Sequence, residues 1–141
     1  MKLNTYVNFP GNCKQALQFY EKHLGGKIVM LSTYNQMPEP RTIPPSLEVG
    51  SVLHALIAIG DTELMVSDGP PDRVQPMRSA YLSLTVDSNE EAERIYSALA
   101  AGGEVFMKMA ETFFAHRFAM FRDKFGVNWM VICQKPMSRN G

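Results

Sequence analysis

"HALIAIGDTELMVSD", residues 54–68, decides how the rest of this chain is read. An apolar run reaches a turn at Gly60-Asp61 and continues into a second run carrying Met65, the pattern of a β-hairpin. "HRFAMFRDKFGVNWMVI", residues 116–132, follows the same plan: a histidine, a strand, a turn at Gly126, then a strand carrying Met130. A hairpin made twice points to an internal repeat.

The segments upstream of the two hairpins also match. "NTYVNF" (4–9) reads as a strand, and Asn12 with Gln15 reads as a capping box. Cys13, Ala16, Leu17, Tyr20 and Leu24 then share one helical face, and Gly25-Gly26 stops the helix. "KIVMLSTY" (27–34) is the next strand. In the second half, "AYLSLTVD" (80–87) alternates as a strand, and Ser88 with Glu91 opens a helix. Its stripe is Ala92, Ile95, Tyr96 and Leu99; Gly102-Gly103 ends it, and "EVFMKMAETFF" (104–114) is a strand bent near Ala110. Pro38, Pro40, Pro44 and Pro45 make 35–51 a loop, and "DGPPDRVQPMRS" (68–79) separates the halves.

The fold class is therefore α+β. One domain over 1–141 consists of two βαβββ modules, 1–68 and 79–135. About 60 residues exclude too little surface to bury a sheet face alone. The two modules are expected to form one curved, mostly antiparallel sheet, with helices on its convex face and the concave face left free.

The bulk composition narrows the partners. Lys plus Arg and Asp plus Glu both number 14, so no electrostatic case exists for nucleic acid or an anionic membrane. No apolar run nears the roughly 20 residues of a membrane span. Met1–Thr5 turns polar too soon for a signal peptide, so a cytoplasmic location is expected. Cys13 and Cys133 match no metal spacing and read as buried thiols. No glycine-rich loop follows a parallel strand in the way that would hold S-adenosylmethionine.

"FPGNCKQALQFYEKHLGG", "HALIAIGDTELMVSD", "ETFFAHRF" and "DKFGVNWMV" occur in this order. They resemble the PhnB-like family of the vicinal oxygen chelate superfamily, which includes glyoxalase I, bleomycin-resistance proteins and extradiol dioxygenases. The PhnB-like family often carries a 3-demethylubiquinone methyltransferase-like label. The resemblance implies the paired-module fold and a homodimer. It also implies four inward strand positions that hold His and Glu ligands in the metal-dependent members. Here those positions fall on Thr5, Tyr81, Met65 and Met130. Thioether and phenol suit Ni²⁺, Zn²⁺, Mn²⁺ or Fe²⁺ poorly, so no metal and no cofactor are expected. Where the family usually has Trp-Gly or Trp-Ala, this chain has Phe114-Ala115.

Strand parity supplies the candidate site. Thr5, Val7, Tyr81 and Ser83 are expected to face inward with Met65, Ser67 and Met130. Phe114 is expected at the rim and Asp68 at the end of an inward-facing strand, with a turn cap as the plainer role for Asp68. Such a surface suits a small, largely apolar or aromatic ligand. His54 and His116 begin equivalent strands and are the candidate acid/base or ligand-contacting groups. The plainer role for each is a bond that fixes a strand end. Arg41 and Arg117 could meet an anionic group. Three functions follow: a metal-free binding protein; a glyoxalase- or dioxygenase-like enzyme using a His base or a relocated metal; or a structural or partner-binding role in which the sheet face is filled and the dimer face acts.

Overall fold

The computed structural model describes residues 1–38, 43–44 and 46–136; Arg41 lies outside them. The chain divides into two compact units, Met1–Gln75 and Pro76–Gly141.

Unit 1 contains β1 (Thr5–Phe9), α1 (Cys13–Leu24), β2 (Lys27–Thr33), a 3-10 turn (Tyr34–Gln36), β3 (Val52–Ile59) and β4 (Thr62–Asp68). Its sheet runs β1-β4-β3-β2, with β1 parallel to β4 and the other pairings antiparallel. Unit 2 contains β5 (Leu82–Thr85), α2 (Asn89–Ala100), β6 (Glu104–Ala110), β7 (Ala115–Arg122) and β8 (Asn128–Gln134). Its sheet runs β5-β8-β7-β6, with β5 parallel to β8. Each unit is thus a βαβββ module with its own four-stranded mixed sheet. The strand expected over 104–114 stops at Ala110. Thr112 and Ala115 then close a turn on each other, the Thr112 N–H donating to the Ala115 carbonyl at 2.9 Å.

Each helix covers one face of its own sheet. In unit 1 the buried residues Cys13, Ala16, Leu17 and Tyr20 of α1 meet a face built from Val7, Phe9, Ala55, Ile57, Leu64 and Val66. In unit 2 Ala92, Ile95 and Leu99 of α2 meet Phe121, Ala119, Trp129 and Val131, and Tyr96 packs edge-on to Phe121 at 5.7 Å. Burying a side chain of this size contributes about 1.5–3 kcal/mol. These two layers account for most of the buried apolar residues among those described.

The helix ends follow the expected chemistry at three of four places. Gly25 ends α1 at φ 64° and Gly102 follows α2 at φ 77°, both left-handed and natural only for glycine. Ser88 caps α2, its Oγ accepting from the Glu91 N–H at 3.1 Å. The Asn12–Gln15 box does not form, because the Asn12 side chain makes no capping bond. Asp68, arriving from β4, takes the Cys13 N–H instead, at 2.9 Å.

Candidate functional site: the helix-free faces of the two sheets

Residues opposite one another in a sheet share a face. Reading across unit 1, Tyr6 lies opposite Met65, Met65 opposite Leu56, and Leu56 opposite Met30. Reading across unit 2, Ser83 lies opposite Met130, Met130 opposite Met120, and Met120 opposite Met107. Both rows lie on the face away from the helix. With Met65 and Met130 as counterparts, the rows superpose position by position.

This register corrects part of the expected site. Thr5 lies opposite Leu64 and Val7 opposite Val66, so both turn toward α1, away from Met65 and Ser67. Tyr6 and Asn8 occupy the face instead. Measured from the start of its helix, β1 is offset by one residue from β5. The segment from Phe9 to Cys13 has one residue more than its counterpart from Val86 to Asn89, and it contains Gly11 at φ 103°. A one-residue slip moves every side chain of a strand to the other face. The signal that would have caught it is the strand's own alternation: Val7 and Phe9 are the apolar positions of "TYVNF".

In unit 2 the expected parity and the structure agree. Ser83 is exposed, Met130 half-buried, and Tyr81 stands just before β5 with its ring edge-on to Phe106 at 6.3 Å. Phe114 is half-buried, 5.2 Å from the Phe118 ring. Ala115, Phe118 and Ile132 form a buried cluster on this face, with Phe114, Met120 and Met130 packed against it.

The next row along each sheet separates the units. In unit 1 Asn8 lies opposite Ser67, and Ser32 lies opposite His54. Ser67 donates to Asn8 Oδ1 at 2.7 Å. In unit 2 Thr85 lies opposite Ile132, Ile132 opposite Phe118, and Phe118 opposite Ala110. The first row is polar and the second, past Thr85, apolar. His54 therefore has Phe118, not His116, as its counterpart. Ala55, next to His54, pairs with Val66, and Ala119, next to Phe118, pairs with Val131.

Among the described residues no hydrogen bond from either imidazole fixes a strand end. The His54 ring stacks on Tyr6 at 5.8 Å between centroids and 21° between planes. His116 is half-buried, and its imidazole helps hold the Glu111 carboxyl below its ordinary range, after the larger effect of Lys135. Arg117 lies on the α2 side, paired with Glu93 at 3.1 Å.

Asp68 is a structural residue in this geometry. It is 2% exposed, and its Oδ1 accepts from the Gly11 and Cys13 N–H groups at 3.0 and 2.9 Å. Its Oδ2 accepts from the Val52 N–H at 2.8 Å, and its carbonyl accepts from the Tyr34 hydroxyl at 3.0 Å. The carboxylate thus ties the start of α1 to the start of β3. Burial first, and this carboxylate second, push the neighbouring Cys13 thiol far above its ordinary pKa. Asp123 does similar work in unit 2, accepting from Phe125, Val127 and Trp129 Nε1 at 2.8, 3.1 and 2.9 Å.

The residues at the four ligand positions do not fit a hard divalent ion. Tyr6 corresponds to Ser83, so Asn4, two residues earlier, corresponds to Tyr81. The set is therefore amide, phenol and two thioethers, without imidazole or carboxylate. Among the described residues no three His, Cys, Asp or Glu side chains come together to hold a metal. No described helix is long and apolar enough to cross a membrane.

The model of the glyoxalase/bleomycin resistance protein/dioxygenase superfamily matches residues 2–131. Protein YjdN of Escherichia coli is 32% identical, the match covering 96% of this chain and 99% of that one. The crystal structure of protein PA1353 from Pseudomonas aeruginosa is 38% identical at a TM-score of 0.83, covering 96% of this chain and 99% of that one. A Bacillus cereus PhnB protein, described as a putative 3-demethylubiquinone-9 3-methyltransferase, is 26% identical at a TM-score of 0.79, covering 94% and 99%. With both the strand order and near-full-length relatives in agreement, this chain belongs to the glyoxalase/bleomycin resistance protein/dioxygenase superfamily, among its PhnB- and YjdN-like members.

Proposed function

We propose that this protein binds a small, largely apolar or aromatic molecule on the helix-free faces of its sheets, without a hard divalent metal. The carrying observation is the pair of matched rows, Tyr6–Met65–Leu56–Met30 and Ser83–Met130–Met120–Met107. Eight positions that superpose hold five thioethers. Methionine side chains are flexible and polarizable and accept flat aromatic surfaces readily. Met30 and Met107 are 38% and 47% exposed, so the rows are open to solvent at the β2 and β6 ends. Tyr81, Ser83, Met65, Ser67, Met130 and Phe114 remain in this proposed surface, and Tyr6 and Asn8 replace Thr5 and Val7. Asp68 contributes by holding β4 in place. The homodimer implied by the resemblance and the cytoplasmic location expected from the sequence belong to the same reading.

A panel of uncharged aromatic compounds screened by thermal shift, followed by calorimetry, tests this. A binder should raise Tm and be recovered unchanged. Absence of any shift, consumption of every binder, or stoichiometric Ni, Zn, Fe or Mn in the purified protein would overturn it.

One observation favours a second reading, an enzyme with a histidine base. No hydrogen bond among the described residues reaches either ring nitrogen of His54, which leaves the imidazole available to a substrate.

A further inference from the structure

The polar row of unit 1 gathers into a constellation that strand order alone would not give. His54 sits on β3 and Tyr6 on β1, with β4 between them, yet their rings stack at 5.8 Å. The two rings therefore meet over β4, on the face that also carries Asn8 and Ser67. Asn8 and Tyr6 are two residues apart on the same face of β1, about 7 Å along the strand. Beneath them Ser67, 6% exposed, donates to Asn8 Oδ1. That bond turns the Asn8 amide so that its N–H groups face away from Ser67. Asn8 is exposed and His54 half-buried. Among the described residues nothing accepts from the Asn8 amide nitrogen, and nothing bonds the His54 ring nitrogens.

A neutral imidazole offers one acceptor nitrogen, and the Asn8 amide offers donors. A hydroxyl group satisfies both at once, donating to the first and accepting from the second. A carboxylate or phosphate would need a cation, and the row Asn8, Ser67, His54 and Ser32 holds no Lys or Arg. Beside the row lie Met65 and Leu56, an apolar surface on which a ring would rest.

We infer that Asn8, Ser67 and His54 form the polar edge of this face and select an uncharged, ring-bearing ligand with a hydroxyl group, of the phenol class. The inference rests on reading the face as a small-molecule site. Asn8 and His54 contact the hydroxyl; Ser67 positions the Asn8 amide. Unit 2 has no such edge, because Thr85, Ile132 and Phe118 stand in its place.

The test compares para-ethylphenol, uncharged at neutral pH, with its O-methyl ether by calorimetry on the full chain. The ether keeps the ring and loses the donated hydrogen bond. The wild type should bind the phenol about tenfold more tightly. His54→Phe keeps a ring against Tyr6 and removes both nitrogens; Asn8→Leu keeps the amide's shape. Each variant is checked for native circular dichroism. His54→Phe should erase the preference, because only the phenol donates; Asn8→Leu should weaken both probes alike, because both oxygens accept from the amide. Equal affinities in the wild type, a preference that survives His54→Phe, or unchanged affinities in Asn8→Leu would overturn the polar edge and leave the apolar face standing. Failure of both probes to bind at about 1 mM would overturn both readings.

Discussion

Unit 1 and unit 2 repeat one plan but join helix to sheet by different chemistry. In unit 1 the strand-to-helix segment is one residue longer, and a carboxylate from β4 takes up the N–H groups of that segment and of the helix start. In unit 2 the shorter segment is capped locally by Ser88, and the position corresponding to Asp68 is Cys133, a buried thiol. The comparison shows why a carboxylate ending an inward strand is poor evidence for a site. Asp68 exists because unit 1 has donors that unit 2 lacks. Removing it tests this most strongly. Asp68→Ala should lose about 4 kcal/mol in urea unfolding, since three largely buried N–H groups lose their acceptor. Cys133→Ala should lose about 1 kcal/mol, a small apolar truncation. Equal losses would mean that Asp68 does not hold the unit together.

The double glycines offer a second contrast. Gly25 and Gly102 both have positive φ, but the glycines after them meet different neighbours. A Cβ on Gly26 would come 2.9 Å from Ile57 Cδ1, the mobile end of a side chain. On Gly103 it would overlap the Arg122 backbone carbonyl oxygen, which cannot step aside without moving β7. Gly103→Ala should therefore cost about 2–3 kcal/mol and Gly26→Ala under about 1 kcal/mol. The reverse order would show that β7 yields more easily than the Ile57 rotamer.

The repeat, both helices and the hairpins were legible because each rests on local signals: glycine stops, apolar periodicity and turn residues. The face of β5 was legible as well, since Leu82, Leu84 and Val86 mark its core side. β1 was not, because a length difference of one residue near Gly11 is invisible to counting and reverses the strand. The polar edge was hidden for the same reason. Asn8 could not be placed beside Ser67 until Tyr6 was opposite Met65. Nor does any sequence signal say that the Tyr6 and His54 rings meet over β4, which depends on rotamers rather than a pattern. His54 and His116 looked equivalent because both open a quoted hairpin. Strand pairing, which sequence does not report, separates them by two positions.

The smallest expected effect is also the sharpest between the two helices. Asn12 and Ser88 occupy the same place in the sequence pattern, each followed three residues later by a residue suited to a capping box. Only Ser88 uses its side chain as a cap. Asn12 does not: its backbone, at φ −114° and ψ 27°, is outside the extended conformation that Ser88 adopts, and its Oδ1 is buried without a hydrogen-bond partner. Ser88→Ala should therefore cost about 1 kcal/mol in urea unfolding, the usual loss of a serine cap. Asn12→Ala should be close to neutral, or slightly stabilising, because it removes an unsatisfied buried oxygen and no bond. The double variant Asn12→Ala, Asp68→Ala should be no less stable than Asp68→Ala alone. If losing Asn12 hurts only when Asp68 is gone, the asparagine is a latent cap, held off its helix by the carboxylate that arrives from β4.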